Sequence, residues 1–178
     1  VYEIIYVNDG STDATADRLA AIMAKRANLR QIRHEKSSGQ SAAVRTGVRA
    51  ARGAIVATLD GDGQNDPAFL TNLITAIENG GGRIGLAAGQ RVGRKDTGFK
   101  KFQSRTANKV RSWVLSDGTR DTGCGLKAFP REAFLSLPYI DGLHRFLPAL
   151  VRREGYEIAY VDVADRLRHS GVSNYGFF

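Results

Sequence analysis

Short apolar runs alternate with helix-forming segments along the first half of the chain, and this alternation limits the possible folds more than any other feature. The runs cover residues 4–7, 29–32, 55–59 and 84–88, and their mainly apolar character is typical of buried parallel strands. Between them, apolar residues recur at helical spacing, for example Leu19, Ala20 and Met23. Strand and helix in alternation predict an α/β fold with right-handed crossovers.

Later parts of the chain predict one more helix and one more strand. The helix is expected over 146–154 and the strand over 158–163. Residues with short polar side chains precede several predicted helices, as N-caps do. The predicted N-caps are Asp13, Ser41 and Asp66, the last of which is followed by Pro67.

Length and charge indicate the broad class of protein and the kinds of partner it can bind. A chain of 178 residues is expected to form one globular domain. Its formal net charge of +8 predicts attraction to anions, such as nucleic acid, acidic membrane surfaces or phosphorylated substrates. Cys124 is the only cysteine, so an intrachain disulfide is excluded and a reducing compartment such as the cytosol is favoured. No apolar run approaches the roughly 18 residues of a membrane span, so we expect any membrane contact to be peripheral.

Polar motifs follow three successive predicted strands. They read VNDGSTD, KSSGQS and DGDGQNDP. In open α/β sheets, ligands bind beyond the carboxyl ends of the strands. Clustered carboxylates, hydroxyls and glycines at three strand ends therefore predict one binding site.

Asp60 and Asp62, in the third motif, have two possible interpretations. A calcium loop of the EF-hand type is excluded because Asn65 and Thr71 occupy positions that require glycine and glutamate. A magnesium or manganese ion shared with a substrate needs only one or two carboxylates, and Gln64 could add a third oxygen. A solvated polar turn before a helix explains the same spacing, because Asp-Gly pairs are common in turns.

Neither of two common nucleotide-binding motifs occurs in the context that binds a nucleotide. No G-x-G-x-x-G follows a predicted strand and no G-x-x-x-x-G-K-[ST] occurs. Asp9 comes directly after the first strand, where a carboxylate suits a ribose or base better than a pyrophosphate. The three histidines show no metal-cluster spacing, so we expect structural roles for them.

Seven sequence motifs form an ordered set over nearly all of the chain. They are VNDGSTDAT, SSGQSAAVRTGVRAARG, ATLDGDGQNDP, GQR, SRTAN, DTGCGLKAF and RHSGVSNYG. This set resembles the second family of inverting glycosyltransferases. Within that family, it is similar to the branch of dolichol-phosphate mannosyltransferases and bacterial polyprenyl-phosphate glycosyltransferases.

The resemblance implies a fold. It is the Rossmann-like sandwich of nucleotide-diphospho-sugar transferases, the GT-A type, with a mainly parallel central sheet. Residues 1–178 are then expected to be a single catalytic domain. The family's first, central strand and its C-terminal membrane-associated segment are expected to be missing from this segment.

The resemblance also implies roles for residues at the donor side. Asp9, Ser11, Gly39 and Asp60 are expected to bind the nucleotide sugar. The expected ligands of Mg²⁺ or Mn²⁺ are Asp60, Asp62 and Gln64, and Asp62 is expected to be catalytic through this ion.

At the acceptor side, the resemblance implies a phosphate-binding set. Its members are Arg91, Arg105, Arg168 and Ser173, and Arg105 is expected to be catalytic as well. Many relatives place a Glu-Asp pair near a helix start as general base, whereas the corresponding stretch here reads GLHRFLPAL. An anionic phosphate needs no base, so this difference favours a polyprenyl phosphate acceptor.

The expected activity is metal-dependent, inverting transfer of a hexose from GDP-mannose or a UDP-sugar to a polyprenyl phosphate. It is expected in the cytoplasm at the inner face of the membrane, with the membrane surface as a peripheral partner. A hydroxyl acceptor and a nucleotide-binding domain without catalysis stay open as alternatives. A nucleic-acid-binding domain would suit the positive charge, but no nucleic-acid-binding motif or aromatic stacking platform is evident.

Overall fold

The computed structural model describes residues 1–92, 121 and 123–164, and within them strands and helices alternate as predicted. The strands are β1 Ile4–Asp9, β2 Leu29–His34, β3 Ile55–Thr58, β4 Ile84–Arg91, β5 Lys127–Pro130 and β6 Glu157–Val163. The helices are α1 Thr15–Met23, α2 Gln40–Ala50, α3 Phe69–Asn79, α4 Arg131–Ser136 and α5 Leu143–Arg153. The predicted strands and helices are confirmed with small shifts at their ends, while β5 and α4 were not predicted.

The strands form two sheets. In the first sheet, β1 and β2 pair in parallel, from Ile4 opposite Leu29 to Asp9 opposite His34. The second sheet has the order β3-β5-β4-β6, in which β4 and β6 are parallel and β5 is antiparallel to both of its neighbours. The α/β architecture is confirmed, and β5 is the strand that runs against the common direction of the second sheet.

Apolar side chains cover both faces of the second sheet. On one face, Leu86 and Phe129 pack with α4 and α5. On the other face, Ala87 and Ala128 pack with α3, where Leu73 is completely buried. Neighbouring strand residues point to opposite faces, so the sheet lies in the middle of a three-layer arrangement.

The first sheet is less buried than its sequence predicts. In β1 only Asn8 is buried, and every residue of β2 is partly or fully exposed to solvent. Within the described residues, β1 and β2 pair only with each other. The prediction that all of the early apolar runs are buried strands is therefore wrong for this sheet, because a two-stranded sheet covers little of its own surface.

None of the three predicted N-cap residues occupies the N-cap of its helix. Gly39, not Ser41, occupies the N-cap of α2, and Ser41 instead bonds a distant histidine. Helix α3 begins after Ala68, and Asp66 accepts a hydrogen bond from the Ala68 N–H at 3.0 Å in the preceding turn. Ala14 is the N-cap of α1, and Asp13 accepts the N–H of Thr15, the first residue of that helix, at 3.0 Å.

Candidate active site

Three consecutive residues at the start of α2 connect parts of the chain that are far apart in sequence. The Gly39 N–H donates to Asp9 Oδ2 at 2.9 Å. The side-chain amide of Gln40 donates to Asp60 Oδ1 at 3.0 Å, and Ser41 Oγ lies 2.8 Å from His144 Nδ1. The end of β1, the loop after β3 and the start of α5 therefore meet at the N-terminus of one helix.

Asp9 holds the loop that leads into α2. Its carboxylate accepts hydrogen bonds from Ser37 Oγ at 2.9 Å and from the N–H groups of Ser38 and Gly39 at 2.9 Å each. It also lies 2.6 Å from His34 Nδ1, whose Nε2 is 2.9 Å from Thr46 Oγ1. Burial raises the pKa of Asp9, but these hydrogen bonds outweigh burial and lower it to about 2. Asp9 is therefore ionised at neutral pH.

The turn after β1 packs directly against the same loop. Gly10 has a φ of 75°, and a Cβ there would lie 2.6 Å from the carbonyl carbon of Lys36, so the close approach requires glycine. The Ser11 N–H donates to Asn8 Oδ1 at 2.9 Å. The structure thus brings together Asp9, Ser11 and Gly39, three of the residues predicted to bind the donor.

Asp60 packs closely against the turn before β5. Its N–H donates to Asn65 Oδ1 at 2.8 Å, and Asn65 is 6% exposed. Gly125 lies so close that a Cβ there would overlap the Asp60 carboxylate and approach Asn65 Oδ1 to 2.7 Å. Thr58 Oγ1 donates to the Gly125 carbonyl at 2.9 Å, which fixes this contact. The Asp60 side chain is therefore positioned by its neighbours.

Asp62 and Gln64 complete the predicted cation ligands. The Gln64 N–H donates to Asp62 Oδ1 at 3.1 Å, so both residues share one tight turn beside Asp60. In the described part of the chain, no group of three or more His, Cys, Asp or Glu side chains could hold a metal ion. Two carboxylates and an amide oxygen are hard oxygen donors, which fit Mg²⁺ or Mn²⁺ completed by water and phosphate oxygens.

Arg91, at the end of β4, forms a bidentate ion pair with Asp121. The Arg91 Nε and Nη2 atoms donate to Asp121 Oδ2 at 2.5 Å and to Asp121 Oδ1 at 2.8 Å. Both side chains are largely buried, at 17% and 16% exposure. Such a pair fixes the plane of the guanidinium, so Asp121 orients the arginine that was predicted to bind phosphate.

Lys127 also lies at this site, although it is not among the predicted site residues. It is 6% exposed, and its ammonium group donates to the Cys124 carbonyl. Burial lowers the pKa of Lys127, whereas Cys124, Asp60 and Asp121 act in the opposite direction. Since it pairs with Thr58 of β3 and Ala88 of β4, it lies between the ends of both strands. A single lysine inside the apolar run LKAF was the available sequence signal.

His144, expected to be structural, also lies at this site. Its N–H and its Nδ1 atom both face Ser41 Oγ, at 3.4 and 2.8 Å. Burial is the main cause that lowers its pKa, helped by Arg145 and Lys127. The imidazole is therefore neutral at pH 7. Nothing in the local sequence predicts its pairing with Ser41, because the two residues are 103 positions apart.

Three predicted residues lie outside the described part of the chain. They are Arg105, Arg168 and Ser173. Their predicted contacts with the acceptor phosphate therefore stay predictions.

Two curated bacterial relatives match nearly the whole chain. The dodecaprenyl-phosphate galacturonate synthase of Rhizobium johnstonii is 34% identical over 179 residues, which cover 98% of this chain and 52% of that protein. The undecaprenyl-phosphate 4-deoxy-4-formamido-L-arabinose transferase of Shewanella sediminis is 29% identical over 177 residues, covering 99% and 53%. The chain thus spans about half the length of the curated relatives it matches.

Solved structures share the fold at lower identity. Glucosyl-3-phosphoglycerate synthase from Mycobacterium tuberculosis, crystallised with Mn²⁺, uridine diphosphate and phosphoglyceric acid, gives a TM-score of 0.70 at 21% identity. The match covers 97% of this chain and 61% of that chain. Another crystal structure of the same enzyme gives 0.70 at 24% identity, covering 94% and 62%. These likenesses show the GT-A type of fold.

The family follows from the sequence match. Residues 1–137 match glycosyl transferase family 2, and this segment includes Asp9, Asp60, Asp62 and Arg91 at the strand ends. The family that the ordered motifs predict is therefore confirmed: the chain belongs to glycosyl transferase family 2.

Proposed function

We propose that the chain forms the catalytic domain of a metal-dependent, inverting glycosyltransferase. It transfers a hexose from a nucleotide diphosphate sugar, GDP-mannose or a UDP-sugar, to a polyprenyl phosphate. The observation that carries this proposal is the connection of Asp9 and Asp60 through Gly39 and Gln40, at the carboxyl ends of the strands of a family 2 chain. The names of the two curated relatives, both of which include a polyprenyl phosphate, support the acceptor.

The donor is proposed to bind between the end of β1 and the loop after β3. Asp9, Ser11 and Gly39 bind the nucleoside, and Asp60 binds the ribose. Because Asp9 is ionised and held by the Ser37–Gly39 loop, it offers a carboxylate whose position is fixed before the donor arrives. A hydrogen-bonding side chain that is already fixed loses little conformational entropy when the donor binds.

Asp60, Asp62 and Gln64 are proposed to hold Mg²⁺ or Mn²⁺. When bound, the cation neutralises negative charge on the departing nucleoside diphosphate. The crystal structures with Mn²⁺ and a uridine nucleotide support a divalent ion in this fold. Neighbouring residues position the carboxylate of Asp60 for this role. Gln40 and Asn65 orient Asp60, and Gly125 leaves room for its carboxylate.

The acceptor phosphate is proposed to be held by Arg91, Arg105, Arg168 and Ser173. A phosphate oxygen attacks the anomeric carbon from the side opposite the diphosphate. A bond forms between them, the bond from the carbon to the diphosphate oxygen breaks, and the electron pair leaves with the diphosphate. The configuration inverts, and no general base is needed because the nucleophile is already an anion. Asp121 orients Arg91 for this contact.

A hydroxyl acceptor on a glycan or lipid is the second candidate, and His144 favours it. A hydroxyl must lose its proton during attack. Since burial lowers the pKa of His144, the neutral imidazole could accept that proton. Transfer to a polyprenol or glycan, with none to polyprenyl phosphate, would decide for this candidate.

The proposed location is the cytoplasmic face of the membrane, reached by peripheral contact. A polyprenyl phosphate keeps its hydrocarbon chain in the bilayer, so the enzyme must approach the headgroup layer. None of the helices in the described ranges is long and apolar enough to cross a membrane.

The test is transfer of labelled sugar to polyprenyl phosphate, with and without a chelator. Asp62→Asn removes one charge from the cation ligands, so we expect a loss of roughly 100-fold or more in turnover. Asp66→Asn is the matched control from the same stretch. Asparagine caps turns and helices as well as aspartate does, so this variant keeps normal turnover.

Three outcomes would contradict the proposal. Transfer that is insensitive to chelator, or full activity in Asp62→Asn, would remove the role of the metal. Binding of nucleotide sugar by calorimetry without turnover on either acceptor class would reduce the chain to a binding module. The chain covers about half of each curated relative. Calorimetry is therefore run alongside every turnover assay, so that donor binding and turnover are measured separately.

A further inference from the structure

The loop before α5 and the first turn of that helix expose three large apolar side chains. Tyr139 is 41% exposed, Ile140 is 38% exposed and Phe146 is 38% exposed. All three lie within eight residues, although the same helix buries Leu143 and Leu147 at 3% and 2% exposure. The Phe146 ring lies against Gly142, where a Cβ would be 3.5 Å from the ring.

Arginines accompany these apolar side chains. The guanidinium of Arg45, on α2, lies 4.4 Å from the centroid of the Tyr139 ring. Arg145 is exposed beside Phe146. The one acidic residue of the loop, Asp141, accepts the N–H of Gly142 at 2.9 Å and so is partly engaged by its own backbone. We name Arg45, Tyr139, Ile140, Arg145 and Phe146 the α5 entry surface.

This surface is continuous with the proposed active site. Arg45 follows Ser41 by four residues on α2, so both side chains lie on the same face of the helix. Ser41 contacts His144 at 2.8 Å, while Arg45 contacts Tyr139. Gln40, one residue before Ser41, contacts Asp60 at 3.0 Å. The first two turns of α2 thus connect Asp60, through Gln40, with the α5 entry surface, through Arg45.

We infer that the α5 entry surface docks on a bilayer that contains anionic lipid. Tyrosine and phenylalanine side chains enter the interfacial region with their apolar rings. Arg45 beside them pairs with lipid phosphates, and such an arginine is worth about 1 kcal/mol near an anionic surface, which is a factor of about five in affinity. The inference rests on the proposed function, because a lipid acceptor must reach Asp60 and Arg91 from the membrane. It adds which face of the domain meets the bilayer.

The experiment measures co-sedimentation of the 178-residue chain with vesicles of phosphatidylglycerol and phosphatidylethanolamine. The double variant Ile140→Ser/Phe146→Ser is expected to bind these vesicles roughly tenfold more weakly or worse, because two apolar side chains no longer enter the interface. The matched control is Ile22→Ser, which removes an apolar side chain of 46% exposure on α1 and leaves binding unchanged.

The contribution of positive charge to vesicle binding is tested separately. Arg45→Gln is expected to weaken binding to the anionic vesicles by about fivefold, with little effect on the weak binding to phosphatidylcholine vesicles. Arg26→Gln changes the net charge equally but lies after α1, on an exposed residue, and keeps normal binding. Equal losses in both arginine variants would mean that net charge alone attracts the chain, and would overturn the inference.

Failure of the docking surface can be separated from failure of the proposed function. With a short, water-soluble isoprenyl phosphate as acceptor, the double variant is expected to keep normal turnover, whereas with a long polyprenyl phosphate in vesicles it loses most of it. Normal vesicle binding by the double variant would overturn the inference even if the wild-type chain is active on both acceptors. Sedimentation velocity completes the test, because a dimer that only the double variant abolishes would assign the surface to a second copy of the chain.

Discussion

The two sheets of this domain are stabilised in different ways. The four-stranded sheet is covered on both faces, and both apolar clusters of the described residues are built around it. None of the side chains in those clusters comes from β1, α1 or β2. The apolar character of a strand therefore does not by itself decide how deeply the strand is buried.

Polar contacts hold the two-stranded sheet instead. Arg30 lies 3.0 Å from Glu3 across the β1–β2 pair and also donates to the Ala50 carbonyl. Glu3 accepts the Arg52 N–H at 2.7 Å, and Asp9 holds the loop before α2 at the other end. The stability of this sheet should therefore respond to pH and charge, whereas that of the larger sheet should respond to the volume of its side chains.

The largest expected effect is loss of a core aromatic side chain from the larger sheet. Phe129 is 1% exposed and stacks on Phe134 with ring centroids 4.7 Å apart. Phe129→Ala is expected to lower the free energy of unfolding by about 3–5 kcal/mol. Ile5→Ala in the half-buried β1 should lower it by only about 1 kcal/mol. Urea denaturation measures both, and equal losses would show that the two sheets do not differ as described.

Asp9→Asn is expected to have the next largest effect and to remove a dependence on pH. Since the pKa of Asp9 is about 2 in the folded chain against an ordinary 3.8, its contribution is complete above about pH 4. It is lost as the pH falls through 2. The expected loss at pH 7 is about 1–2 kcal/mol, because partial exposure reduces the full linkage value.

Denaturation at several pH values between 2 and 7 tests this prediction. The Asp9→Asn variant should show a flatter dependence below pH 4 than the wild-type chain. An unchanged slope in the variant would mean that Asp9 does not hold the first sheet.

Ser41→Ala tests the connection between the two regions. Losing the contact with His144 is expected to lower the free energy of unfolding by about 1 kcal/mol. A double-mutant cycle with His144→Ala should give a coupling energy of about 0.5–1 kcal/mol. Ser136 is a control hydroxyl, because it donates to the local Ala133 carbonyl at 2.9 Å, and its cycle with His144 should give no coupling. A coupling of zero for Ser41 would show that α2 does not join the regions through this contact.

The smallest expected effect is at the rim of the first sheet. Glu3→Gln should lower the free energy of unfolding by about 0.5 kcal/mol or less, because the Arg30 pair is partly solvated. Glu132→Gln, on a side chain of 84% exposure beside Arg131, should change it still less. Thermal denaturation at low salt distinguishes the two, since the pair with the more exposed carboxylate contributes less to stability.

Much of the fold followed from local pattern, and the exceptions have physical causes. β4 was predictable because its consecutive apolar residues form a recognisable strand pattern on their own. β5 was not, because four residues that contain a lysine and a proline carry little strand signal. Ser41 was predicted as a cap from its position before an apolar run, but its hydroxyl bonds His144 and leaves the cap to Gly39.

For the candidate site, the motifs located the loops but not their partners. Asp60 and Asp62 were placed at a strand end from the sequence, and the structure confirms that position after β3. Lys127 is not among the predicted site residues, because its burial next to Cys124 depends on how β5 enters the sheet between β3 and β4. The roles of Arg105, Arg168 and Ser173 stay predictions.

The alternation of strands and helices, the polar motifs at the strand ends and the family can all be recognised in the sequence. These features depend on residues within a few positions of one another, where periodicity and turn chemistry act. The contacts of Gln40 with Asp60 and of Ser41 with His144, and the half-buried state of β1 and β2, arise from tertiary packing. Those outcomes depend on contacts between segments up to 103 residues apart, and such contacts leave no local pattern because they are set by how the layers pack.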